Sequence, residues 1–147
     1  MFCAWSFIFI SICSSGLIVL NHGIDLNFMK DFKSLGIWQR SHKLTLDIYK
    51  LSTAFPAEEK FGLISQIRRS CSSIPTNIAE GCGRNSDADM KRFFTIAMGS
   101  ASELDCQLLL AKDLSFISNP DYELVFQELT AIKKMLNSFI KKLNSTI

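Results

Sequence analysis

The sequence predicts an all-α protein, an antiparallel up-down four-helix bundle, with an apolar N-terminal extension that lies outside the domain. Three observations predict it. Only three Pro and seven Gly in 147 residues favour long helices over a turn-rich β fold. Beyond residue 29, four segments repeat apolar residues at three- and four-residue spacing, the period of a helix with one buried face. The links between them are short, which sets consecutive helices side by side and antiparallel. No strand pattern and no internal repeat interrupts this.

The extension is residues 1–28 and the bundle domain residues 29–147. Asp25 is the one charged residue of the first part, whereas the second carries all sixteen Lys and Arg and a net charge of +3. From Phe2 to Leu20 no residue is charged, and as a helix this run would span about 28 Å, close to a bilayer core of about 30 Å. One reading is therefore a membrane anchor at about residues 2–20. The other is a mis-assigned start: no Lys or Arg precedes the run, as a secretory segment requires, and Met29 opens the amphipathic pattern. A start at Met29 implies a cytoplasmic protein.

The first helix is expected from about Leu35 to Phe55, with Leu44, Ile48, Leu51 and Phe55 inward and Ile37 and Trp38 a turn or two earlier. Pro56 stops it, because the residue before a proline is pushed out of helical geometry. Pro56 then suits the first position of the second helix, with Glu58 and Glu59 at the positive end of its dipole. That helix runs to about Cys82. Pro75 inside it removes one hydrogen bond and should kink it, at roughly 3 kcal/mol unless packing compensates; Ser72 and Ser73 are placed to satisfy the freed carbonyls, and Gly81 and Gly83 end the helix. Ser86-Asp87-Ala88-Asp89 resembles a capping box and opens a third helix to about Phe116. Its inward row is Phe93, Ala97, Ser100, Leu104, Leu108 and Ala111. The small cluster Ala97 to Ser102 contains Gly99, which costs about 1 kcal/mol against Ala, and such residues permit close approach of another helix, from the bundle or from another subunit. Asn119 followed by Pro120 caps the fourth helix, whose seam is Val125, Leu129, Ile132, Leu136, Phe139 and Leu143.

Most chemistry lacks its residues. A metal site in a bundle needs carboxylate and His ligands repeated on facing helices, yet His22 lies outside the domain and His42 has no partner at three or four residues; neither a metal nor a cofactor is expected. A nucleophile needs a base and an orienting group, and His42 on an exposed part of the first helix serves poorly. No catalytic residue is assigned and the protein is expected not to be an enzyme. Glu103 and Asp105 read as members of surface ion pairs. Gly81-Cys82-Gly83 lacks the Lys and the spacing of a phosphate-binding loop. The five cysteines form no CxxC pair, and Cys71 and Cys82 fall on an apolar row, as reduced structural thiols.

The stretch Arg68 to Arg84 carries the remaining signal. Ile67, Cys71, Ile74, Ile78 and Cys82 form its apolar row; Arg69, Ser73, Asn77, Glu80 and Arg84 form a polar row at the same spacing. With Lys91 and Arg92, the arginines Arg68, Arg69 and Arg84 make a local basic cluster, although the whole chain carries only +2. The Arg fork suits phosphate, so the cluster is a candidate nucleic-acid site. The polar row is equally a candidate interface or polar network.

Four runs are recognisable together: WQRSHKLTLDIYKLS (Trp38 to Ser52), FPAEEKFGLISQIRRS (Phe55 to Ser70), IPTNIAEGCGR (Ile74 to Arg84) and AMGSASELDCQL (Ala97 to Leu108). In order and spacing they resemble the bacterial four-helix-bundle proteins encoded in intervening sequences of large-subunit ribosomal RNA. The resemblance covers about residues 29–143 and implies a cyclic homo-oligomer, commonly a pentamer; no small-molecule substrate is expected. A related branch, the accessory variability determinant of diversity-generating retroelements, is a basic barrel that binds nucleic acid and a reverse transcriptase; for this mildly basic chain RNA or DNA is a candidate partner, and a reverse transcriptase only if one is encoded beside it. Starts close to Met29 are usual among relatives. The motif residues Arg68, Arg69, Asn77, Glu80, Gly81 and Arg84 are all present, and the resemblance leaves open whether they hold a neighbour or a nucleic acid.

Overall fold

Four helices, joined by short links, wind up and down around a single core. A computed structural model of the chain describes residues 31–145; the apolar run at 2–20 lies outside them. The helices are α1 (Gly36–Leu51), α2 (Leu63–Cys82), α3 (Asp87–Asp113) and α4 (Asn119–Ser145). Each packs on its chain neighbours, and α1 closes the square against α4. The expected rows do the packing: Ile67, Cys71, Ile74, Ile78 and Cys82 of α2 are buried, and so are Val125, Leu129, Ile132, Leu136 and Leu143 of α4. On α3 the inward aromatic is Phe94, fully buried, whereas Phe93 is exposed to a greater degree. Among the described residues no helix is long and apolar enough to cross a membrane.

The helix ends depart from the sequence reading in instructive ways. α1 stops at Leu51, followed by a 3-10 turn over Ser52–Ala54, and Phe55 turns extended ahead of Pro56 yet stays buried. Pro56 does not open α2. It precedes a second 3-10 turn, Ala57–Phe61, and Gly62 breaks the backbone at φ −98°, ψ −121° before α2 begins at Leu63. Glu59 keeps its expected role from one turn further out, accepting the Leu63 N–H at 2.9 Å at the positive end of α2. Ser86 caps α3 by accepting the Asp89 N–H at 3.1 Å. The cap of α4 is Ser118 rather than Asn119: its hydroxyl accepts the Asp121 N–H at 3.3 Å and donates to the Asp121 carboxylate at 2.6 Å, because Ser118-x-x-Asp121 repeats the Ser86-x-x-Asp89 spacing.

α3 ends at Asp113, three residues short of Phe116. Ser115 adopts the left-handed region at φ 61°, the Phe116 N–H reaches the Ala111 carbonyl at 2.8 Å and the Ser115 N–H reaches that of Lys112 at 2.9 Å. That is a Schellman closure with Ser where Gly is usual, so no glycine marked the end.

α2 runs as one helical element through the buried Pro75. The carbonyl that Pro75 leaves without a donor is that of Cys71, and Thr45 of α1 serves it: the Thr45 hydroxyl lies 3.0 Å from the Cys71 oxygen and 2.9 Å from that of Ser41. Ser72 and Ser73 do not take this role; Ser72 bonds the Arg69 carbonyl and Ser73 meets Ser100. Gly81 does not end the helix either. A Cβ there would stand 3.0 Å from the Phe94 ring and 3.1 Å from the Phe93 Cβ, so this glycine sets how closely α2 and α3 approach. On the other side of the square, Arg40 of α1 clamps Glu128 of α4 through two bonds of 2.6 and 2.7 Å. The hydrogen bond from Arg40 holds the Glu128 carboxyl below the usual carboxylate range.

Candidate functional site: a polar seam and an uncovered helix face

The polar row of α2 lies along α3 and is knitted into it. At one end Arg69 pairs with Glu103 at 2.8 Å. The same Glu103 oxygen accepts from the Gln107 amide at 3.1 Å, and Gln107, itself buried, accepts from the Ser70 hydroxyl at 2.6 Å. One turn on, the hydroxyls of Ser73 and Ser100 meet at 2.8 Å. Ser100 also lies 3.1 Å from the Ile96 carbonyl, which can only accept. With its single proton given there, Ser100 takes the proton of Ser73, and the Asn77 amide donates to the Ser73 hydroxyl and carbonyl at 3.0 and 2.8 Å. At the far end Glu80 accepts from Arg84 at 2.7 Å, and the Arg84 guanidinium lies 4.4 Å from the Phe93 ring centre. Pairings 69–103, 73–100 and 84–93 run in opposite senses along the two helices, as an antiparallel pair must.

Of this row Arg69, Ser73 and Arg84 thus reach α3 of the same subunit, while Asn77 bonds Ser73 within α2 and Glu80 bonds Arg84 just past its end. Glu103 and Asp105 do enter ion pairs, the latter with Lys133 of α4 at 2.9 Å. Sequence reading missed Ser70 and Gln107. Their signal is weak: two uncharged polar residues on helical faces, which look like solvent positions until the partner helix is placed.

The basic cluster is divided. Arg68 turns toward α1, donating to the Ser52 hydroxyl at 2.8 Å and the Tyr49 carbonyl at 3.4 Å, with its guanidinium 5.0 Å from the Tyr49 ring centre. Arg68 lies in the first third of α2 and Arg84 two residues past its end, a separation of sixteen residues, about 24 Å at helical rise. Only Arg84, Lys91 and Arg92 share one place, the turn between α2 and α3. There two shallow clefts meet at Arg92 and Ile96, one walled by Lys91 and Thr95, the other by Arg84 and Phe93. Lys91 and Arg92 enter no ion pair among the described residues. Glu80, Asp87 and Asp89 stand in the same region of sequence, so its charge is mixed.

Reactive groups are few. His42 is exposed and stacks on Trp38 with ring centres 4.9 Å apart. Burial pushes the Cys71 and Cys82 thiols up to about 11, so both stay protonated and inert; Cys106 is exposed. No group of three metal-ligating side chains gathers among the described residues.

The small cluster of α3 splits by face. Ala97 and Ala101 are fully buried and admit the neighbouring helices. Gly99 is exposed, and a Cβ added there would meet nothing within 4 Å, so nothing in the subunit requires a glycine. Around it the outer face of α3 exposes Ile96 at 43%, Leu109 at 46% and Leu110 at 49%, with Leu114 just beyond the helix end at 48%.

A four-helix bundle with polar contacts between α2 and α3 defines the class of protein. The chain belongs to the 23S rRNA-intervening sequence protein family, whose model matches residues 33–138. Among solved structures it is similar to a protein of unknown function from the S23 ribosomal protein family of Bacteroides thetaiotaomicron, at 30% identity and a TM-score of 0.65, covering 71% of this chain and 98% of that one. No curated protein matches it.

Proposed function

We propose that the protein is a non-enzymatic scaffold of the intervening-sequence type that works as a homo-oligomer, with the outer face of α3 as a contact surface. The observation that carries this reading is the apolar character of that face. Half-exposed Ile96, Leu109, Leu110 and Leu114 leave water only when something covers them, and Gly99 beside them gives up helix stability without any internal return. A five-membered assembly is the form that the family resemblance suggests.

RNA or DNA binding is the second reading, at Arg84, Lys91 and Arg92. It is favoured by two cations, Lys91 and Arg92, that enter no ion pair among the described residues, beside clefts that share Arg92. Arg68 and Arg69 drop out of it, since their guanidiniums are engaged in holding α1 and α3. A reverse transcriptase enters only if one is encoded beside this gene.

Light scattering of the full chain tests the first reading: a mass several times the 16.6 kDa of one chain is expected, and a monomer at all concentrations contradicts it. Fluorescence anisotropy with a structured 23S rRNA fragment tests the second. Binding should weaken steeply with salt, and Arg92→Ala should lower the log–log salt slope by about 0.9, because one phosphate fewer is neutralised.

A further inference from the structure

The chain carries a second uncovered face, and its charge complements the first. On α1, Leu46 is 50% exposed and Tyr49 43% exposed, with Lys50 beside them, exposed and outside every ion pair among the described residues. On α3, Leu110 and Leu114 flank Asp113, also exposed and outside every ion pair among the described residues. Leu46, Tyr49 and Lys50 follow the same spacing of three and four as Leu110, Asp113 and Leu114, so each set makes one short ridge, with Leu114 at the cap of α3. On α1, Arg40 is taken by Glu128 and Lys43 by Asp47, which leaves Lys50; on α3, Glu103 and Asp105 are taken by Arg69 and Lys133, and Asp113 is the charge within the ridge. Pairing this α3 ridge with the same ridge of a second α3 would bring Asp113 near Asp113, whereas pairing it with the α1 ridge sets Lys50 against Asp113.

We infer that the surface covering the outer face of α3 is the outer face of α1 of a second copy of this chain, with Leu46 and Tyr49 packed on Leu110 and Leu114 and Lys50 paired with Asp113. This rests on the reading of the protein as a homo-oligomer and adds which two faces meet. α1 and α3 stand at opposite corners of the bundle, so the two outer faces cannot meet within one subunit. Contact between unlike faces is head-to-tail, and every subunit then offers one face of each kind.

Mixing two blocked variants tests it. Leu46→Arg removes the α1 face and Leu110→Arg the α3 face, both at half-exposed positions where the fold, checked by circular-dichroism melting, should persist. Each alone should be monomeric in light scattering, with a dissociation constant raised at least about tenfold. Mixed, they should form 1:1 dimers and nothing larger, through the one intact pair of faces. The charge swap gives an independent check: Lys50→Glu and Asp113→Lys should each weaken assembly, and the double variant should regain it. An assembly that survives Leu46→Arg, or a mixture that stays monomeric, overturns the pairing while leaving homo-oligomerisation standing. A monomeric wild type overturns both.

Discussion

Helices α3 and α4 have the same length, 27 residues, and each buries one row against the same core. Outward they differ. α4 turns Glu123, Gln127, Lys134, Asn137, Ser138 and Lys141 to solvent, with Leu124 its one large exposed apolar residue, at 72%. α3 turns out Thr95, Ile96, Gly99, Ser102, Cys106, Leu109 and Leu110 over most of its length. Both outer faces are equally free to be polar as far as the subunit is concerned. The difference marks the outer face of α3, and not that of α4, as the surface that the proposed assembly would cover.

Substitutions on the inner faces should erase the difference. Phe94→Ala on α3 should cost about 3–5 kcal/mol and Leu136→Ala on α4 about 2–5 kcal/mol, since both side chains are fully buried and each would leave a cavity. Chemical denaturation at a concentration where the chain is monomeric would check this. A small loss at Phe94 would mean that α3 is held by its outer contacts instead of by the core.

A smaller effect separates the two sides of α3. Gly99→Ala should raise the stability of the single subunit by up to about 1 kcal/mol, because the helix gains propensity and the new methyl group meets open space. The same change should weaken assembly where another helix approaches closely. Alanine in place of Asn137 on the outer face of α4 should leave assembly unchanged. Equal responses at the two positions would remove the distinction between the faces.

The rows at three- and four-residue spacing were legible because burial of one face is a property of a single helix. The seam of α4 and the apolar row of α2 needed no partner to be seen. The ends were less legible. Gly62 and Ser115 close their turns by backbone geometry, and Ser115 carries no residue signal for its positive φ. The site was legible by position and not by partner. Arg69, Ser73, Asn77, Glu80 and Arg84 stand out as one row, but that Arg69, Ser73 and Arg84 meet the subunit's own α3 follows from Glu103, Ser100 and Phe93, which only the packing brings near. The basic cluster shows the converse. Arg68 and Arg84 are close in sequence, yet helix rise separates them and Ser52 and Tyr49 claim the first. Thr45 is the clearest residue invisible to sequence reading, because the carbonyl it serves was freed by a proline thirty residues away.

Alkylation of Cys106, read peptide by peptide in a mass spectrometer, tests most directly whether the outer face of α3 is covered. Cys106 lies on that face and is exposed in the single subunit, while Cys71 and Cys82 are buried in its core and serve as internal controls that react slowly throughout. Full-length wild-type protein should protect Cys106 increasingly as concentration rises, and Leu110→Arg should leave it reactive at every concentration. Cys106 that reacts equally fast at all concentrations in the wild type would contradict the account.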